Sequence, residues 1–82
     1  MQYRVVVPSA ADASSEMVVL EKRVAVGELV AADAPLVALE TDKVDWEVPS
    51  PVTGILLEWL VADGEEVSEG SPLAVIETDS DV

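Results

Sequence analysis

The chain has 82 residues, with 17 acidic side chains against 4 basic ones and a formal net charge of −13 at pH 7. Arg4, Lys22, Arg23 and Lys43 form no basic patch in the sequence, so binding to nucleic acid or to anionic lipid is not expected. The absence of Cys and His excludes a thiol nucleophile, a disulfide framework, a Cys/His zinc site and any His-dependent triad.

Half the residues are hydrophobic, yet no apolar run approaches the length of a membrane span or a signal-peptide core. The expectation is a soluble, unexported chain. At this length only one modest core can be buried, which points to a single domain over residues 1–82. Phe is absent and the aromatics are Tyr3, Trp46 and Trp59, so branched aliphatics must fill the interior, which favours sheet.

In chain order, a period near two predicts strands at about 2–7, 17–22, 35–41, 44–48, 54–60 and 72–78, with short extended pieces near 29–30 and 66–67. Gly, Pro, Ser, Asp and Ala separate them, and residues 9–15 (SAADASS) read as the one substantial surface loop. A shift of 37 residues lays 17–44 on 54–81 without a gap. Identities fall at 12 of 28 positions, including Gly27/Gly64, Pro35/Pro72 and the run Glu40-Thr41-Asp42 on Glu77-Thr78-Asp79. Units this short cannot bury an apolar face alone, so the halves should pack as two sheets about a pseudo-twofold axis. The predicted fold is all-β, a compact sandwich or flattened barrel.

The halves differ at their tips, where Lys43 stands in the first copy and Ser80 in the second. Asp-Lys is not a turn pair chosen for positive φ, so the lysine at this predicted hairpin tip has another reason to be there. Glu40, Asp42, Asp45 and Glu47 lie close to it in sequence and favour its protonated ammonium, which disfavours Schiff-base catalysis. Two readings remain open for Lys43 from these residues: an ordinary charged residue on a solvated turn, and an exposed amine that another enzyme could activate and acylate.

Glu40-Thr41-Asp42-Lys43-Val44, followed by Glu47-Val48-Pro49-Ser50-Pro51 and Gly54-Ile55-Leu56, resembles the lipoyl domain of the acyltransferase components of 2-oxoacid dehydrogenase complexes. Val26-Gly27-Glu28-Leu29-Val30 upstream, and Asp63-Gly64-Glu65-Glu66-Val67 with Gly70-Ser71-Pro72-Leu73 downstream, extend the likeness over nearly the whole chain. The resemblance implies a barrel-sandwich hybrid of two four-stranded antiparallel sheets, with lipoate in amide linkage to Lys43. Glu40, Thr41, Asp42 and Val44 are then the expected recognition residues. A biotin carrier would show Met-Lys-Met where Asp42 and Val44 flank Lys43, and glycine-cleavage carriers have a Ser-Val-Lys type sequence on a longer chain. Family members carry a Leu/Gly/Glu-containing stretch in the first loop, which here is SAADASS.

The implied function is a non-catalytic swinging-arm carrier of acyl groups and electrons. Its implied partners are a thiamine-diphosphate-dependent dehydrogenase component, an acyltransferase component, dihydrolipoyl dehydrogenase, and a lipoate ligase or lipoyl transferase. The implied location is the cytoplasm, or the mitochondrial matrix in a eukaryote. Two alternatives remain at this level: a free-standing lipoyl acyl carrier of a specialised biosynthetic pathway, and an unmodified barrel-sandwich adaptor.

Overall fold

The computed structural model describes residues 1–8, 17–41 and 45–78. Eight strands follow one another: β1 (Gln2–Val6), β2 (Met17–Lys22), β3 (Leu29–Val30), β4 (Pro35–Glu40), β5 (Asp45–Pro49), β6 (Gly54–Trp59), β7 (Glu66–Val67) and β8 (Pro72–Glu77). They form two four-stranded antiparallel sheets, ordered β1-β8-β6-β3 and β5-β4-β2-β7. All eight expected strands are present. Among the described residues, no helix is long and apolar enough to cross a membrane.

The 37-residue repeat maps β2 onto β6, β3 onto β7 and β4 onto β8, and these equivalents occupy equivalent places in the two sheets. One feature was not legible in the repeat: each half gives its short strand to the other half's sheet. β3 pairs with β6, and β7 with β2. Matched hydrogen bonds secure the exchange, the Gly27 amide donating to the Leu56 carbonyl at 2.7 Å and the Gly64 amide to the Val19 carbonyl at 2.8 Å. Both glycines have positive φ, +93° and +85°, a region that costs an L-residue about 1–2 kcal/mol. The recurrence of glycine at this offset therefore has a backbone cause.

Bulges recur as well. The β2–β4 register shifts between Val19 and Glu21, and the β6–β8 register between Leu56 and Glu58, so Leu20 and Leu57 fall at equivalent irregularities. A bulge residue leaves the strict alternation, and both leucines are exposed despite being identical in the two halves. β1, β4, β6 and β8 stop one residue earlier than expected, β2 ends at Lys22 as expected, and β5 runs one residue further, to Pro49. β1 ends at Val6, where its register shifts and it meets Pro72, which has no amide proton for the ladder.

The core lies between the sheets and is aliphatic: Val5, Val19, Leu36, Leu39, Val48, Leu56, Leu73 and Ile76 are among its members, with Met17 beside them and Trp46 and Trp59 packed against it. Fully burying one such side chain contributes about 1.5–3 kcal/mol relative to leaving it in water, so the sheet–sheet contact is the main source of stability. Trp59 satisfies its polar atom by donating from Nε1 to the Val24 carbonyl at 3.0 Å.

Candidate functional site

The antiparallel pair β4–β5 closes on Glu40 opposite Asp45. Four residues join them, and Lys43 is one of these. Asp42, Lys43 and Val44 lie outside the described residues, as do the first loop, 9–16, and the second tip with Asp79, Ser80 and Asp81. The ends of β4, β5, β2 and β7 nearest Lys43 are described.

Strand pairing puts Asp45 of β5, Glu40 of β4, Val18 of β2 and Glu66 of β7 in one cross-strand row, the last before the turn. Paired residues share a face, so three carboxylates stand side by side with one valine. None of the three forms an ion pair with another described residue. The equivalent row at the other end is Gln2, Glu77, Ile55 and Leu29. It carries one carboxylate, and the amino terminus of Met1 neutralises it at 2.9 Å. Among the described residues these two rows differ in charge, and the row with three carboxylates is the one at the end of β4 that leads to Lys43.

Glu66 was missed as a site residue from sequence. The repeat aligns it with exposed Leu29, which is a signal of difference, but only the exchange of β7 into the lysine-bearing sheet brings it beside Glu40. Glu40 is exposed and Thr41 half-buried at the end of β4, as a hairpin shoulder requires. Thr78, the equivalent of Thr41 in the half without a lysine, is 3% exposed, and its amide donates to the Met1 carbonyl at 2.8 Å. Thr78 is thus buried at its tip, whereas Thr41 is only half-buried at the tip next to Lys43.

The other lysine is engaged. Lys22 Nζ lies 3.8 Å from Asp63 Oδ1 and 5.5 Å from the centre of the Trp59 ring, and its side chain is 27% exposed. Lys22 and Trp59 are themselves repeat equivalents, so this cation–π contact joins the halves to each other. Such a contact contributes about 0.5–2 kcal/mol and leaves the amine committed. Among the basic residues described, Arg23 is also paired, with Glu21 at 3.0 Å and Glu47 at 2.7 Å.

Two antiparallel sheets related by an internal twofold and closed by exchanged edge strands define the barrel-sandwich hybrid, a flattened barrel. The family model described as "Biotin-requiring enzyme", the biotin/lipoyl model, matches residues 4–76. The chain belongs to the biotinyl/lipoyl carrier family. It is similar to the dihydrolipoyllysine-residue acetyltransferase component of the pyruvate dehydrogenase complex of Corynebacterium glutamicum, 39% identical over 57 residues, which covers 70% of this chain and 8% of that protein. The same component from Mycobacterium tuberculosis is 42% identical over 53 residues, covering 65% and 10%. The succinyltransferase component of the 2-oxoglutarate dehydrogenase complex of Bartonella vinsonii is 52% identical over 50 residues, covering 61% and 12%. The matched stretch is thus about a tenth of the length of these curated relatives. Among solved structures, a single-chain, multi-domain long-chain acyl-CoA carboxylase superposes with a TM-score of 0.74 at 26% identity, covering 98% of this chain and 7% of that one. The resemblance of the sequence to lipoyl domains and the all-β fold agree with these findings.

Proposed function

We propose that this chain is a lipoyl carrier domain in which the Lys43 side chain is amide-linked to lipoate and serves a 2-oxoacid dehydrogenase-type complex. One observation supports the reading: β4 and β5 pair up to Glu40 and Asp45, and Lys43 is one of the four residues that join them at one end of the barrel. The chemistry of the available amines fits, since attachment needs a primary amine and Lys22 already holds Asp63 and Trp59. When bound, lipoate supplies a disulfide that accepts electrons together with an acyl group. The chain's own contribution is to hold the amine on a stiff scaffold and to keep it in reach of successive enzymes at high effective concentration. No step of bond making is assigned to its side chains.

The partners of this reading are a thiamine-diphosphate-dependent dehydrogenase, an acyltransferase, dihydrolipoyl dehydrogenase, and a lipoate ligase or lipoyl transferase. The relatives' names support the first group, and the location would be that of such complexes, cytoplasm or mitochondrial matrix. The carboxylates of Glu40, Asp42 and Glu66 would steer basic faces of those enzymes through association rate more than through tight binding.

An internal control tests this steering. Glu40→Gln with Asp42→Asn should slow reductive acylation of the lipoylated domain by a dehydrogenase component about three- to tenfold, mainly through association, and reduce its sensitivity to salt. Glu77→Gln with Asp79→Asn removes the same charge from the opposite end and should slow it less than about twofold. Equal effects would mean that the field of the whole domain acts and that the acids beside the turn have no special part. Unfolding should change by less than about 1 kcal/mol in either pair.

A further inference from the structure

The strand that leaves the lysine turn has an unusual fastening. β5 is an edge strand with β4 as its only neighbour in the sheet. On its inner side Val48 is buried and Trp46 packs on the core. On its outer side Glu47 shares a cross-strand row with Ala38 of β4 and Glu21 of β2, so two carboxylates flank a small side chain. Arg23 answers both: Nη2 reaches Glu47 Oε2 at 2.7 Å and Nη1 reaches Glu21 Oε1 at 3.0 Å. Its own backbone amide donates to the Leu36 carbonyl of β4 at 2.8 Å. Arg23 follows β2, is bonded to β4 through its main chain and to β5 through its guanidinium, and so ties three strands together across the Ala38 rung. Among the described residues this is the only ion pair made by β5.

The half without a lysine at its tip shows that the strap belongs to one sheet. The position equivalent to Arg23 is Leu60, and the equivalent row, Glu58, Val75 and Arg4, already places opposite charges on either side of the central strand. The like-charged row with a bridging guanidinium occurs only in the sheet whose hairpin bears Lys43.

We propose that Arg23 is a positioning residue for Lys43: it holds β5, the strand that begins two residues after Lys43, against β4, and so fixes one anchor of the segment that the modifying enzyme must read. The proposal rests on the carrier reading above. An exposed ion pair adds little to global stability, but an edge strand that frays beside a reacting amine spreads that amine over many orientations. Position should therefore suffer more than folding.

The test compares initial rates of lipoate attachment by a lipoate ligase, thermal unfolding, and hydrogen exchange of the amides of β5. Arg23→Gln should slow attachment on the order of tenfold, lower Tm by only about 4–8 °C, and increase exchange in β5 while β8 and β6 keep theirs. Arg23→Glu should be slower still. The exchanged pair, Arg23→Glu with Glu47→Arg, conserves net charge and rebuilds the bridge, and should return attachment to within about twofold of the parent. Attachment at the parental rate in Arg23→Gln, or no recovery in the exchanged pair under conditions where both variants are folded, would overturn the proposal. If the parent protein itself takes no lipoate, the carrier reading fails; the exchange rates of β5 still decide whether Arg23 straps the strand.

Discussion

Lys43→Ala is expected to abolish covalent attachment of lipoate and, with it, every carrier assay, while leaving the thermal unfolding of the domain nearly unchanged. The loss should be complete because the only other lysine, Lys22, is held between Asp63 and Trp59 and lies at the end of a strand packed on the other half of the fold. Lys22→Ala is the reverse case. It should retain full attachment and lose about 0.5–2 kcal/mol of stability, the magnitude of a partly buried cation–π contact. Mass spectrometry of the two variants, each treated with the same ligase, reads both outcomes. Modification that persists in Lys43→Ala contradicts the assignment outright.

The largest effect on folding should come from Gly54. It opens β6 opposite Val30, and a Cβ built there would collide with the main-chain carbonyl of Glu77 and come within 2.8 Å of Ile76 Cγ2. The obstruction is backbone of the central strand β8, which cannot step aside without breaking the ladder on both of its sides. Gly54→Ala should thus cost about 2–4 kcal/mol and lower Tm by about 10–25 °C. For a chain of this size, whose total stability is on the order of 0.1 kcal/mol per residue, that removes a large share of it. Gly27→Ala is the contrast. Nothing lies within 4 Å of an added Cβ there, so only the positive φ of +93° is penalised, by about 1–2 kcal/mol. Circular dichroism melts of the two variants separate steric collision from backbone strain; equal melting temperatures would contradict this account of Gly54.

Much of this architecture was legible in the sequence because its turns carry chemistry that cannot be had otherwise. Gly27 and Gly64 recur at the same offset because both have positive φ, and they are among the 12 identities that revealed the repeat and hence the two sheets. Asp33 and Gly70 make the same point less visibly: both adopt positive φ, +72° and +86°, yet the residue types differ, so alignment by identity passed over the match. The strand positions followed from alternation, apart from Leu20 and Leu57, where a bulge turns an apolar residue outward. What could not be read was partner choice among the strands. Leu29–Val30 and Glu66–Val67 are two residues long, and a stretch so short does not encode which sheet it joins. That single ambiguity concealed Glu66 as a neighbour of Glu40. Arg23 was not singled out from sequence either: Glu21 lies two residues away, but the longer reach to Glu47 depends on β4 lying between β2 and β5.

Lys43 itself stood out by a different route, as the place where two otherwise matching tips diverge. The described ends of β4 and β5 agree with a turn there, and the family match agrees with a modified lysine, but biotin and lipoate are both attachments of this family. Asp42 and Val44, where a biotin carrier would show methionines, and the relatives named as dihydrolipoyllysine-residue acyltransferases favour lipoate.

The most direct measurement is therefore the intact mass and fragment map of the unaltered protein after separate incubation with a lipoate ligase and lipoate, and with a biotin ligase and biotin. The carrier account predicts one lipoyl group per chain, located on Lys43, with little or no biotin incorporated. An unmodified chain, a biotinylated one, or lipoate found on Lys22 would contradict it.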